Sequence, residues 1–272
     1  MSFALAATLH DVVGALDADV RALLPVLRDL YPAGVCVATS PPTAASTRRL
    51  LEDADVHAGS PRANERGPLY RRSLARAVAS GADRVHYLDF DRALHYASTM
   101  RAEYAALLRL AARHDVLLVG RTERAHRSHQ RPLYATELIA NRVMCDRLGW
   151  TGRVDFLVPS FVLPREQAMR LTKASRARNE TMYGEWAVLV ATSAPTIAYV
   201  ECRGLDWETP DRHRADVEAT GLDAFRDAQD TPEEWTMRRR LAEAVVRGFD
   251  RARPSGVDPT LTRLRPPVGR ET

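Results

Sequence analysis

Through the first half of the chain, apolar runs of strand length alternate with segments of helical period, and this alternation restricts the fold more than any other feature. "FALAATL" (3–9), "GVCVATS" (34–40), "RVHYLD" (84–89) and "DVLLVG" (115–120) have little polar alternation, as expected of strands covered on both faces. A short strand is also expected at "DVHAG" (55–59). Between these runs, residues 17–31 place Leu23, Leu24, Val26, Leu27 and Leu30 on one side of a helix. Further helices are expected over 43–54, 67–81, 98–113 and 133–148, the second of them stopped at Gly81. The implied fold class is α/β, a layered structure with a mainly parallel central sheet flanked by helices.

Beyond residue 150 the pattern loosens. "RVDFLVPSFVLP" (153–164) has two apolar bursts separated by Pro159; helices follow over 165–177 and 181–192, then a strand over 196–202 and a charged helix over 231–252. The expected organisation is a single domain over 1–252, its first half regular and its second half more elaborate. A Pro- and Arg-rich tail over 253–272 is expected to be extended or mobile.

Composition removes several function classes. Among 272 residues, 45% are apolar and 27% charged, the balance of a globular protein. Lys173 is the only lysine among 39 basic residues, which reads as compositional bias, and the net charge of +4 comes without a basic stripe interleaved with aromatics. No nucleic-acid partner is expected. Cys36, Cys145 and Cys202 are odd in number and widely spaced, as in a reducing compartment. "MSFALAATLHDVV" has no basic leader, and His10 and Asp11 interrupt its apolar run, so no membrane span and a cytoplasmic location are expected.

The chemistry concentrates in "VHYLDFDRALHY" (85–96), where an apolar strand ends in Asp89 and Asp91. Side chains two apart on a strand share a face, and the carboxyl ends of parallel strands are where ligands bind in open α/β sheets. Two carboxylates this close raise each other's pKa unless a cation joins them. Mg²⁺ or Mn²⁺ would do so while sharing its remaining sites with phosphate oxygens. The plainer alternative is that the two acids cap the following turn or pair with Arg92.

"GPLYRRSLARAVASGADRVHYLDFD" (67–91), an Arg-bearing helix, a Gly turn, an apolar strand and then Asp-x-Asp, resembles the GT-A family of nucleotide-diphospho-sugar glycosyltransferases. In element order the resemblance spans residues 3–120. It implies a Rossmann-like GT-A fold, a UDP- or GDP-linked sugar donor, an unknown acceptor, and Asp89 and Asp91 as ligands of a divalent metal and the donor. It further implies that Arg72 or Arg71 reaches the diphosphate, and that Thr8, Asp11 and Ser40 hold the base or ribose. The same three residues would serve equally as ordinary turn and cap groups. Glu185 is the base such a family implies for an inverting transfer, and His213 stands where some members place a late metal ligand. Arg92 departs from the third acid that many members carry after the motif.

"GRTERAHRSHQRPLYATELIANRV" (120–143) is rich in Arg and His. Arg121, Arg124 and Arg127 can contact phosphate, and His126 or His129 can bind a metal or titrate, although a basic loop is more often simply solvated. Glu137 and Asn141 lie four apart and would orient a sugar hydroxyl or pair with each other. Two rival readings remain. One is a GT-A-like domain that binds a nucleotide without transfer. The other is a phosphohydrolase similar to the haloacid dehalogenases, whose Asp-x-Asp motif ends the first strand, whereas here earlier strands precede it.

Overall fold

The computed structural model describes residues 1–54, 56–57 and 65–267. In chain order the elements are β1 (Phe3–Leu9), α1 (Asp17–Leu30), β2 (Gly34–Thr39), α2 (Ala45–Asp53), α3 (Arg66–Ala79), β3 (Arg84–Tyr87), α4 (Phe90–Thr99), α5 (Arg101–Ala111) and β4 (Leu117–Arg121). They continue with α6 (Glu123–Arg127), α7 (Arg131–Arg147), β5 (Phe161–Pro164), α8 (Arg165–Ala174), α9 (Thr181–Ala191) and β6 (Thr196–Cys202). A 3-10 turn (Thr209–Arg212), α10 (Arg214–Thr220), α11 (Leu222–Asp227), α12 (Pro232–Ala252) and β7 (Thr260–Arg263) complete the order.

Among the described residues the strands form one seven-stranded sheet in the order β2-β1-β3-β5-β4-β6-β7. β5 runs antiparallel to both its neighbours, and every other pairing is parallel. The α/β class expected from the sequence is therefore observed: a mainly parallel central sheet flanked by helices, consistent with a Rossmann-like, GT-A-type layering. β1 shows why. All seven of its residues are buried, and alternate side chains enter opposite cores. Leu5, Ala7 and Leu9 pack with Val20, Leu24 and Leu27 of α1 and with Phe90 and Leu94 of α4. Ala4 and Ala6 face the other core, with Leu69 and Leu74 of α3 and Trp186 of α9. Rings fill that second core: Tyr87 stacks on Tyr70 at 5.2 Å between centroids and meets Trp186 edge-on at 5.2 Å.

Two departures from expectation matter, and one expected strand is only partly described. The strand bearing the aspartates ends at Tyr87, and a helix starts at Phe90, well before residue 98. Phe90, Ala93, Leu94 and Ala97 repeat at helical spacing and are all buried, so this face wins over continued extension. The tail also adds an edge strand, with Thr260–Arg263 pairing parallel to β6. Of the strand expected at 55–59, His57 bridges Val37, while residues 55, 58 and 59 lie outside the described residues.

α12 returns across the molecule to α9 by backbone contact. A Cβ on Gly184 would meet the Val245 carbonyl oxygen at 1.8 Å, and one on Gly248 would meet that of Thr181 at 1.9 Å. Gly81 has φ +82° just past α3 and turns the chain into β3, as the sequence suggested. No described helix is long and apolar enough to cross a membrane.

Candidate active site

From β1 the chain moves outward to β2, then crosses back to β3 on the other side of β1. Loops leaving β1 and β3 diverge, and such a switch point opens a crevice at the carboxyl ends of the strands. A cleft of about 540 Å³ lies there, within the range of roughly 300–1,000 Å³ usual for small-molecule sites. Thr8, His10 and Ser40 come from the ends of β1 and β2, and Asp89 and Asp91 from the start of α4. Arg66 and Tyr70 come from the opening turns of α3, Arg178, Glu180 and Tyr183 from the approach to α9, and Arg212 from the 3-10 turn.

Asp89 is the N-terminal flanking residue of α4, with φ −58° and ψ 142°, and Asp91 lies in the first helical turn. The pair therefore straddles a strand-to-helix turn instead of sharing a strand face. Asp89 Oδ1 accepts hydrogen bonds from the Thr8 and Tyr87 hydroxyls, both at 2.9 Å. Its Oδ2 accepts a long bond of 3.4 Å from Tyr70. Tyr70 lies 3.0 Å from the Tyr183 hydroxyl, which in turn accepts from Arg66 Nη1 at 2.7 Å. A chain of hydroxyls thus links Arg66 to Asp89. Burial first, and the neighbouring Asp91 second, push the Asp89 carboxyl up to about 6.

Asp91 is engaged differently. Its Oδ1 accepts from the backbone N–H of Arg92 at 2.8 Å, and its Oδ2 accepts from Arg212 Nη2 at 2.5 Å. Arg212 also donates through Nη1 to the His10 carbonyl. Arg92 forms an ion pair with Glu208 at 3.2 Å, and it lines the same small cavity as Asp89, whose ionised form its charge favours. His95, one turn further along α4, bonds Asp206 at 3.0 Å and Asp211 at 2.8 Å. Although burial disfavours the charged ring, these two carboxylates raise its pKa to about 9.

Four of the residues expected from sequence, Thr8, Ser40, Asp89 and Asp91, line the cleft together. The others lie elsewhere. Asp11 is buried and accepts from the backbone of Ala15 and Leu16 at 3.0 Å, so it shapes the loop after β1. Arg72 is exposed and outside the cleft lining, and Arg71 donates to the Ala177 carbonyl at 2.7 Å. The arginine of α3 that does enter is Arg66. It shares a face with Tyr70 four residues on, a spacing that was readable.

Glu185 departs most clearly from expectation. It lies inside α9, which begins at Thr181, and its carboxylate is taken up by the 175–177 turn. It accepts from the Ser175 hydroxyl at 2.5 Å, from Arg176 N at 2.7 Å and from Ala177 N at 3.0 Å, and it does not line the cleft. The basic stretch divides: Arg124, Arg127 and Arg131 are exposed, as a solvated run would be, whereas Arg121 at the end of β4, His126 and His129 are internal. Arg121 is fully buried, 2.7 Å from Asp155 and 2.5 Å from Glu137, and Asn141 donates to Asp155 at 3.1 Å. Against the cost of burial, Arg121 pulls the carboxyls of Asp155 and Glu137 down, that of Glu137 to about 2. His126 contacts Glu137 at 3.2 Å, and His129 lies 3.7 Å from Glu208. Arg124 is exposed, and Arg127 pairs with Glu123. Glu137 also reaches a second cavity of about 110 Å³ that shares Arg66, Asp89 and Tyr183 with the main cleft.

The expected metal ligands do not form a cation site. His213 is half exposed and pairs with Asp216 at 3.4 Å, outside the cleft lining. Both oxygens of Asp89 receive hydroxyl donors, and Asp91 receives a guanidinium. Among the described residues no group of three or more His, Cys, Asp or Glu is gathered to hold a metal. Sequence reading missed Arg66, Tyr70, Arg178, Tyr183 and Arg212. Only Arg66 and Tyr70 had a local signal; the other three approach from distant points of the chain.

No protein-family model and no curated protein sequence matches the chain. Among solved structures, one similar chain is glucosyl-3-phosphoglycerate synthase from Mycobacterium tuberculosis, determined with Mn²⁺, uridine diphosphate and phosphoglyceric acid. The similarity covers 94% of this chain and 80% of that one, at 15% identity and a TM-score of 0.43. A likeness of that size carries no argument about function.

Proposed function

We propose that the protein is a glycosyltransferase that takes a sugar from a nucleoside-diphosphate donor, UDP- or GDP-linked, and passes it to a hydroxyl acceptor. One observation carries this reading. The cleft at the β1/β3 switch point sets neutral hydrogen-bonding groups, Thr8, His10 and Ser40, beside two carboxylates, with Arg66, Arg178 and Arg212 in the same lining. Nucleoside, sugar and diphosphate need those three chemistries in that company.

In this reading the base and ribose lie against the ends of β1 and β2. The diphosphate lies among the arginines, whose fork of donors suits phosphate oxygens. Asp89, on the wall shared with the smaller cavity, faces the sugar hydroxyls, and the acceptor enters through that cavity. The acceptor oxygen forms a bond to the anomeric carbon as the bond to the diphosphate oxygen breaks, and the acceptor's hydroxyl proton passes to the departing diphosphate oxygen. The nucleoside diphosphate leaves with the electron pair, and fixed guanidinium groups stabilise the charge it gains. Mg²⁺ or Mn²⁺ takes no part in this description, because the carboxylates expected to hold it are already partnered.

The commitment of Glu185 to a turn favours a second reading, a domain that binds the nucleotide without transferring sugar. A panel of UDP- and GDP-sugars, followed by release of free nucleoside diphosphate, tests both. Release above the uncatalysed rate, lost in Asp91→Asn, is expected for the transferase. Binding without release supports the second reading, and absence of binding by either class removes both. Phosphatase activity on a generic phosphate ester that disappears in Asp89→Asn would instead support the dehalogenase-like alternative.

A further inference from the structure

We infer that Arg212 occupies the role expected of a divalent ion: it neutralises Asp91 and presents the remaining edge of its guanidinium to the donor's diphosphate, so the cleft binds a nucleoside diphosphate without metal. This rests on the proposed nucleotide-sugar reading and assigns the cation within it.

An anionic diphosphate beside two acids requires a positive charge between them. Arg212 supplies it at 2.5 Å from Asp91, and both side chains are only about one-fifth exposed, at 20% and 21%. The pair is also built in, because the whole 206–214 segment is anchored around it. His95 of α4 holds Asp206 and Asp211, the second immediately before Arg212. Arg92 meets Glu208 at 3.2 Å, and Arg214 meets Asp19 of α1 at 2.7 Å. Arg212 itself reaches the His10 carbonyl at the end of β1. Ordering this side chain in advance removes much of the entropic cost that a flexible arginine would incur on binding.

A planar guanidinium can engage a carboxylate and a phosphate at the same time. A divalent ion at Asp91 would either displace Arg212 from Oδ2 or sit beside its positive charge, and both are unfavourable. At Asp89, two hydroxyls at 2.9 Å already point at Oδ1, and Oδ2 takes only the long 3.4 Å bond from Tyr70, so Asp89 alone would have to hold an ion that Arg212 keeps from Asp91. The sequence contains the acids of a metal site, and the fold has given the cation's place to an arginine far along the chain.

Calorimetric titration of the full chain with UDP and with GDP, in EDTA and in excess Mn²⁺, tests this. The expected result is that one nucleotide binds in EDTA, with Kd within roughly threefold of its value in Mn²⁺. Arg212→Met should weaken that binding by about tenfold or more in EDTA, and Arg212→Lys should recover part of the loss. A circular-dichroism melt shows whether each variant is folded. If Arg212→Met does not fold, the EDTA and Mn²⁺ comparison on the unaltered chain still decides. Binding that appears only with Mn²⁺ overturns the inference and leaves the transferase reading standing. Metal-free binding that is indifferent to Arg212→Met also overturns it. Failure of both nucleotides in both buffers overturns the transferase reading, and this inference with it.

Discussion

Asp89→Asn is predicted to stabilise the protein at neutral pH. Burial and Asp91 push the carboxyl up to about 6 in the folded state, against roughly 4 in an unfolded chain. A raised acid pKa means that the folded state prefers the proton. The stability from this group is therefore fully present below the unfolded pKa and is lost as pH rises through about 6. Two units correspond to about 3 kcal/mol of cost once the group is ionised. Asparagine removes that cost, keeps an oxygen to accept from Thr8 and Tyr87, and gives up the long bond from Tyr70. The expected net gain is about 1–2 kcal/mol near pH 7.5, or roughly 2–6 °C in Tm for a chain of this size. Urea titrations of both proteins at several pH values measure the difference directly, and subtracting them cancels every other titrating group. The gap should shrink by about 1.4 kcal/mol, to near zero, at pH 5, and the parent should be the more stable protein at pH 4. A variant less stable than the parent at pH 7.5, or a gap independent of pH, would refute the assigned environment of Asp89.

Two further changes test neighbouring parts of the account. His95 has its pKa raised to about 9, so its contribution is complete below about pH 6.5 and is lost as pH rises through 9. His95→Gln should therefore cost about 2 kcal/mol near pH 7.5 and nothing above about pH 10, read from paired denaturation curves. Glu185→Gln should cost about 1–2 kcal/mol, because three donors from the 175–177 turn lose a charged acceptor. Its affinity for a nucleoside diphosphate should be unchanged, and lost affinity at an unaltered Tm would return Glu185 to the site.

The strands at Phe3–Leu9 and Gly34–Thr39 were legible because burial on both faces leaves nearly unbroken apolar runs. Thr8, Ser40, Asp89 and Asp91 were legible for a related reason: ligand groups in such folds follow the carboxyl ends of those strands. The geometry of the acids was not. "DFDRALHY" reads locally as either extended or helical, and only the burial of Phe90, Ala93, Leu94 and Ala97 against the β1 face decides it. Glu185 misled because an acid near a helix start looks the same whether it faces a ligand or closes a turn ten residues earlier. Arg178 and Arg212 were invisible, since no spacing links residues that meet only when α9 and the 3-10 turn close on the sheet. The burial of Arg121 was not legible, because Asp155, which neutralises it, lies 34 residues away, whereas Arg124 and Arg127 of the same run are exposed as a solvated stretch implies.

The most direct test is a crystal structure of the protein with whichever of UDP or GDP it binds, grown without divalent metal. The account predicts the nucleoside against Thr8 and Ser40 and the diphosphate within hydrogen-bonding distance of Arg212, with Arg212 still on Asp91. A nucleotide seated elsewhere, or a diphosphate in the cleft that makes no contact with Arg212, would contradict it.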